Sequence, residues 1–220
     1  MDNSGTAASA TPKRARARNP RGEGGRLRED IIAAAVELLD EEGDERGVTL
    51  RSVARRVGIA APSIYRHFPD PPAIMLAVVQ REFADLRDSL RSSVENAGDD
   101  PRRRLYAVCD AYLDFARIHP ERYRTMFGGL WMPDLDSSSL TKEDLATLGD
   151  ETMRILVGAL GDCVTAGRST STDPSSDAVA LWLGLHGLAH QRAVSPSFSW
   201  PPDIADRVIT ALAHLDDPDA

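Results

Sequence analysis

Apolar residues recur at helical spacing along nearly the whole chain, and short polar stretches with Gly or Pro separate one stripe from the next. Leu27, Ile31, Ala34, Ala35, Leu38 and Leu39 form the first stripe, and Gly43 is a natural stop. Thr49 is placed as the N-cap of a second helix whose apolar face is Leu50, Val53, Ala54 and Val57, with Gly58 at its end. Pro62 suits the first turn of a third helix running through Ser63, Ile64 and Tyr65 to Phe68. Beyond the prolines at 69, 71 and 72, a long helix is predicted from about Ala73 to Asn96. Further helices are predicted over 101–118, 120–127, 141–166, 174–193 and from Pro201-Pro202 to about Leu215. Gly128 to Ser139 reads as a loop holding Trp131, and Ser169 to Ser176 as a polar connector. Nothing alternates with period two for long, so strands are not needed. The chain reads as all-α, with a three-helix head over residues 25–85 containing a helix-turn-helix at 49–68. A larger helical bundle over 86–220 follows. Residues 1–24 have no apolar period and read as a disordered basic arm.

Charge refines this division. Residues 1–68 carry twelve Lys or Arg against ten Asp or Glu, which leaves 14 against 24 for the rest of the chain. The net charge of −8 therefore sits in the body, and bound nucleic acid would be confined to the other end. No apolar run reaches the ~18 to 20 residues of a membrane span, and no secretory pattern follows the first basic residues. A cytoplasmic protein with no membrane partner is expected. Cys109 and Cys163 both fall inside apolar helical patterns and read as buried reduced thiols.

The stretch 49–68 carries the most specific chemistry. A helix-turn-helix needs two short helices crossing steeply, with the second free to enter the major groove. Ala54 is small where the helices cross, Gly58 permits the turn, and Ile59 and Ile64 anchor the second helix. Ala60, Ala61, Pro62 and Ser63 are left at its exposed end, small enough for close approach to base edges. Thr49, Arg51, Tyr65 and His67 flank them and suit backbone contacts, which set register. From Thr49 to Phe68 this segment resembles the helix-turn-helix of TetR-family transcriptional regulators, with Thr, Ala, Gly, Tyr and Phe in the family's positions. The resemblance covers about residues 26–85. It implies phosphate contacts from Thr49, Arg51, Tyr65 and His67, and groove contacts from Ala60 to Ser63 with Tyr65 beside them. One departure is Pro71, where the family usually has a Lys. The arm from Lys13 to Arg28 is expected to compensate by reaching the DNA backbone or minor groove.

In the body, Trp182-x-x-x-His186-Gly187, followed by Phe198, Trp200 and Pro201, is similar to a C-terminal subfamily of these regulators named for its Trp-His-Gly signature. The resemblance implies a homodimer paired through the two C-terminal helices, with Trp182, Leu185, His186 and Ala189 as interface candidates. Gly184, Gly187 and Ala189 would permit close helix approach. It also implies a small, largely apolar effector, for which Tyr112, Phe115, His119, Tyr123, Phe127, Trp131 and Met153 are candidate contacts. Trp131, on a Gly-rich loop, reads as a lid. The function expected is a repressor released from its operator by that effector. The rival is a helical metal-binding or partner-binding protein without sequence-specific DNA binding. His186 and His190 do stand at the i, i+4 spacing of two metal ligands, but no third ligand is evident, so no metal or cofactor is expected. An enzyme is not expected, because nucleophile, base and oxyanion donors cannot be assembled from these motifs.

Overall fold

A computed structural model describes residues 24–42, 45–128, 131 and 133–216 of the 220-residue chain. Among the described residues ten α-helices account for the architecture: α1 Gly24–Glu42, α2 Leu50–Val57, α3 Ala61–Ile64, α4 Pro71–Asn96, α5 Pro101–Ile118, α6 Pro120–Phe127, α7 Lys142–Ala146, α8 Asp150–Thr165, α9 Pro174–Val194 and α10 Ile204–Leu212. A 3-10 turn, Glu45–Gly47, joins α1 to α2. Among the described residues the only extended pairing is an isolated bridge, Ser169 to Leu215. Most of the proposed basic arm lies outside the described residues. Its last part does not: Arg26 and Arg28 belong to α1, and the Arg28 guanidinium lies 4.9 Å from the centre of the Phe68 ring.

Two apolar cores form, and α4 belongs to both. The head core gathers Ile31, Ala35 and Leu38 of α1, Val53 and Ala54 of α2, Ile64 and Phe68 around α3, and Ile74 and Val78 of α4. The body core begins lower on the same helix, at Leu86 and Leu90, and takes in Leu105, Cys109, Leu160, Leu181, Leu185 and Ile209. At ~1.5 Å per residue, the 26 residues of α4 make one unbroken rod through both. Asp70 starts the rod by accepting from the Ala73 N–H at 2.9 Å, and two prolines occupy the first turn, where no backbone donor is needed.

One expected helix is two. The stripe of Leu145, Leu148, Met153, Leu156 and Leu160 predicts a single helix over 141–166, but α7 stops at Ala146 and α8 restarts at Asp150. Gly149 makes the corner with φ +82°, a left-handed conformation that costs L-residues about 1–2 kcal/mol. A Cβ there would also sit 2.9 Å from Cε1 of Phe83 on α4. Gly149→Ala is therefore expected to lower unfolding stability by about 1–3 kcal/mol. Gly158→Ala, inside α8 with open space around it, is the control and is expected to stabilise by about 0.5–1 kcal/mol. Urea denaturation of both variants measures the contrast.

Candidate DNA-reading head and effector cavity

The head is built to hold α3 outward. Thr49 caps α2 reciprocally: its Oγ1 accepts from the Ser52 N–H at 3.0 Å, while the Thr49 N–H donates to Ser52 Oγ at 2.9 Å. Gly58, at φ +77°, closes the helix with its N–H on the Ala54 carbonyl at 3.0 Å. After this turn α3 is short, ending at Ile64, and residues 65–67 continue as a turn whose last N–H groups return to the Ile64 carbonyl. Ile64 and Phe68 are buried, so the intervening Tyr65 is forced out and stands 60% exposed. Thr49, Arg51, Ala60 and Pro62 are also exposed, and Ala61, Ser63 and His67 are half-buried. The structure thus brings all eight predicted DNA-contact residues to the α2–α3 end of the head. Arg55 and Arg66, not singled out from the sequence, are exposed near them. Arg56 differs, since its guanidinium is held by Glu37 and Glu41 of α1.

Beneath the head, α4, α5, α6, α8 and α9 enclose a cavity of about 300 Å³. Phe83 and Leu86 of α4, Tyr112 of α5, Phe127 of α6, Met153 and Leu156 of α8, and Trp182 and Leu185 of α9 line it, with the Leu148–Gly149 corner at one side. Tyr112, Phe127 and Met153 of the sequence-predicted set therefore line one cavity. Tyr123 stands behind the wall, its hydroxyl 3.0 Å from that of Tyr112 and 2.6 Å from His186 Nδ1. Phe115 does not line the cavity: it is buried, packs at a tilt against the His119 ring with centroids 5.3 Å apart, and lies under the Arg122 guanidinium.

Trp131 lies elsewhere. It packs against the head core and lines a surface groove with Thr49, Pro71, Pro72 and Met75, so it is no lid on the effector cavity. A few residues on, the Ser139 N–H donates to Asp70 Oδ2 at 2.6 Å, and Leu140 is buried. The α6–α7 connection thus grips the head at the very carboxylate that starts α4.

The predicted interface residues also turn inward. Trp182 and Leu185 line the cavity, Ala189 is buried, and His186 points to Tyr112 and Tyr123 within its own chain. The outer face of α9 is instead Val179, Leu183 and Val194, all exposed, with Phe198 exposed just beyond. Gly184 serves a contact inside the chain, since a Cβ there would meet Leu212 and Val208 of α10 at 2.5 and 3.0 Å.

Burial governs the titrating groups. His186 is held below the ordinary histidine range chiefly by desolvation, helped by nearby His190, and Tyr112 and Tyr123 are pushed up by burial. Both cysteines are free and buried; desolvation raises both thiols, Cys163 to about 11. Glu82, on α4 and only 3% exposed, is raised by desolvation and partly held down by Arg122 of α6, which also pairs with Asp85. Among the described residues no three His, Cys, Asp or Glu side chains gather into a group that could hold a metal, and no helix is long and apolar enough to cross a membrane.

A capped α2–α3 pair under an outward tyrosine is thus set on a helical body with a cavity between its helices. Residues 31–78 match the family described as bacterial regulatory proteins, tetR family, and residues 105–215 match the tetracycline repressor-like C-terminal domain. The chain belongs to the TetR family. It is 30% identical over 100 residues to the transcriptional activator FasR of Mycolicibacterium smegmatis, covering 46% of this chain and 45% of FasR. It is 36% identical over 96 residues to the class A tetracycline repressor of Escherichia coli, covering 40% and 43%. Over these TetR-family relatives, then, the chain spans less than half of their length. The EthR regulator of M. smegmatis is matched more widely, at 23% identity over 93% of this chain and 90% of EthR. Among solved structures, a Rhodococcus sp. RHA1 protein of unknown function superposes with a TM-score of 0.69 at 27% identity, over 89% of this chain and 95% of that one. The TetR family consists of transcription regulators, not enzymes, and its all-α head and body are those described above.

Proposed function

We propose that this TetR-family protein is a dimeric, one-component transcriptional regulator that binds double-stranded DNA through Thr49–Phe68 and is released by a small, largely apolar effector. The observation that carries this reading is Tyr65, an aromatic side chain held out in solvent between buried Ile64 and buried Phe68. An exposed aromatic beside small residues and Arg51 suits a groove-and-phosphate surface better than any role in the fold. The cavity supports the second half of the reading, because its walls belong to α4, which also forms the head core. A ligand there that favours one tilt of α4 would shift the heads. Repression is the simpler mode, because a bound head blocks access to a promoter without any further contact surface.

Val179, Leu183 and Val194 form the proposed dimer face, since exposed apolar residues one turn apart (Val179, Leu183) and then three turns on (Val194) line one side of a helix, a surface made for covering. A twofold dimer would hold two reading ends over half-sites one DNA turn, or a multiple, apart. DNase footprinting on DNA flanking the protein's own gene tests the whole reading, with a paired, symmetric footprint expected. Leu183→Glu is expected to sediment as a monomer at micromolar concentration and to lose at least tenfold in DNA affinity. A dimeric Leu183→Glu protein would remove α9 from the interface.

A further inference from the structure

We propose that the cavity takes a neutral, naphthalene-sized molecule bearing one hydroxyl or carbonyl group, and that the hydrogen-bonded chain Tyr112–Tyr123–His186 reads that group. This rests on the reading of the cavity as the effector site. Size comes first. About 300 Å³ lies at the small end of the range of small-molecule cavities, roughly 300–1,000 Å³, and has room for a bicyclic ring.

Charge comes second. Among the described residues no Lys, Arg or His lines the cavity, and the one charged residue there is Asp150, half-exposed at the start of α8 and 3.6 Å from Arg154. An anionic ligand would give up its water with no cation to replace it, and would pass a carboxylate on the way. The aromatic and aliphatic walls accept an uncharged ring without that penalty.

Hydrogen bonding comes third. The Thr152 hydroxyl donates to the Gly149 carbonyl at 2.5 Å, which commits its proton and leaves it no hydrogen for a ligand carbonyl. Tyr112 and Trp182 remain as the interior polar groups, and the Trp182 indole lies beside the Tyr112 hydroxyl. Tyr112 is not a lone hydroxyl. It is 3.0 Å from Tyr123 and 3.2 Å from His186 Nδ1, and Tyr123 is 2.6 Å from the same nitrogen. A neutral imidazole gives this chain two directions. With the proton on Nε2, Tyr123 donates to Nδ1 and Tyr112 donates to Tyr123, so the Tyr112 oxygen accepts from a ligand hydroxyl. With the proton on Nδ1, that N–H donates to Tyr123, Tyr123 donates to Tyr112, and the Tyr112 hydroxyl donates to a ligand carbonyl. One wall thus meets either kind of neutral group by a change of tautomer. Tyr123 and His186 are positioning residues, acting through Tyr112.

Isothermal titration calorimetry of the full chain with naphthalene, 2-naphthol, 2-acetylnaphthalene and 2-naphthoate tests this. Both neutral polar probes are expected to bind at least tenfold more tightly than 2-naphthoate. Tyr112→Phe and Tyr123→Phe should each weaken them about three- to tenfold, the worth of one net hydrogen bond, while naphthalene changes less than twofold. His186→Gln, which still offers Tyr123 a partner, should keep the preference that His186→Leu loses. Met153→Trp, filling the cavity, should abolish binding of all four. Equal or tighter binding of 2-naphthoate, no binding of the neutral probes, or equal losses for naphthalene and 2-naphthol in Tyr112→Phe would overturn the proposal. Binding that survives Met153→Trp would instead overturn the effector-site reading beneath it.

Discussion

Tyr65→Ala should leave the fold standing and remove most of the affinity for operator DNA. The side chain is 60% exposed and its ring belongs to neither core, so its loss should change stability by no more than about 0.5 kcal/mol. On DNA the loss of a contact at the reading end is worth about 1–3 kcal/mol, or roughly 6- to 160-fold. Arg51→Ala gives the contrast. It should weaken binding to specific and nonspecific DNA alike and lower the salt slope by about one, as a phosphate contact does. Tyr65→Ala should leave the slope nearer its original value and reduce discrimination between the two DNAs. Fluorescence anisotropy with the footprinted site and a scrambled duplex, each at several salt concentrations, measures both. A Tyr65→Ala protein that binds the site as the parent does would take Tyr65 out of the reading surface.

Arg122→Ala should be the most destabilising single change at a charged residue, and the loss should grow with pH. Glu82 is 3% exposed, and Arg122 of α6 is its partner. Removing one partner of a fully buried pair costs about 3–5 kcal/mol. Arg122 keeps 28% of its side chain exposed, so roughly 2–4 kcal/mol is expected at neutral pH. Desolvation already raises Glu82 in the folded protein above its ordinary value. The folded state then holds this proton more tightly than the unfolded one, and stability falls as pH rises between the unfolded and folded values. Without Arg122 the folded value climbs further and the falling limb lengthens. Guanidinium unfolding at pH 5 and pH 8 should show a larger deficit at pH 8, and Glu82→Gln in the Arg122→Ala background should recover most of it. A deficit independent of pH would mean that Arg122 acts through packing on Phe115 instead.

Where local chemistry decides, the sequence is readable. Thr49 and Gly58 carry their own capping signals, and Asp70, Asp100 and Asp173 precede prolines that can only begin a helix. The head and its exposed residues follow from that. The α7–α8 corner was hidden because its apolar stripe runs on without a break. Its signal was Gly149 followed by Asp150 and Glu151, a pair of acids suited to a new helix N-terminus. The orientation of α9 could not be read in the same way, because Val179, Leu181, Trp182, Leu183 and Leu185 leave it apolar on every side. Periodicity then gives no inward face, and the packing of Leu185 and His186 against α5 and α6 settles it. Trp131 was misread for a related reason: a loop's composition says that it carries an aromatic, not which core that aromatic joins.

The grip of the α6–α7 connection on Asp70, with Trp131 against the head core, means that the head is fastened at two points. A head joined through α4 alone would sample many orientations, and binding would have to freeze them out. Two fastenings remove much of that freedom in the unbound protein, so less conformational entropy would be lost if the proposed dimer settles on paired half-sites. Rigidity at this corner, far from any base, thereby becomes a determinant of how tightly DNA is held.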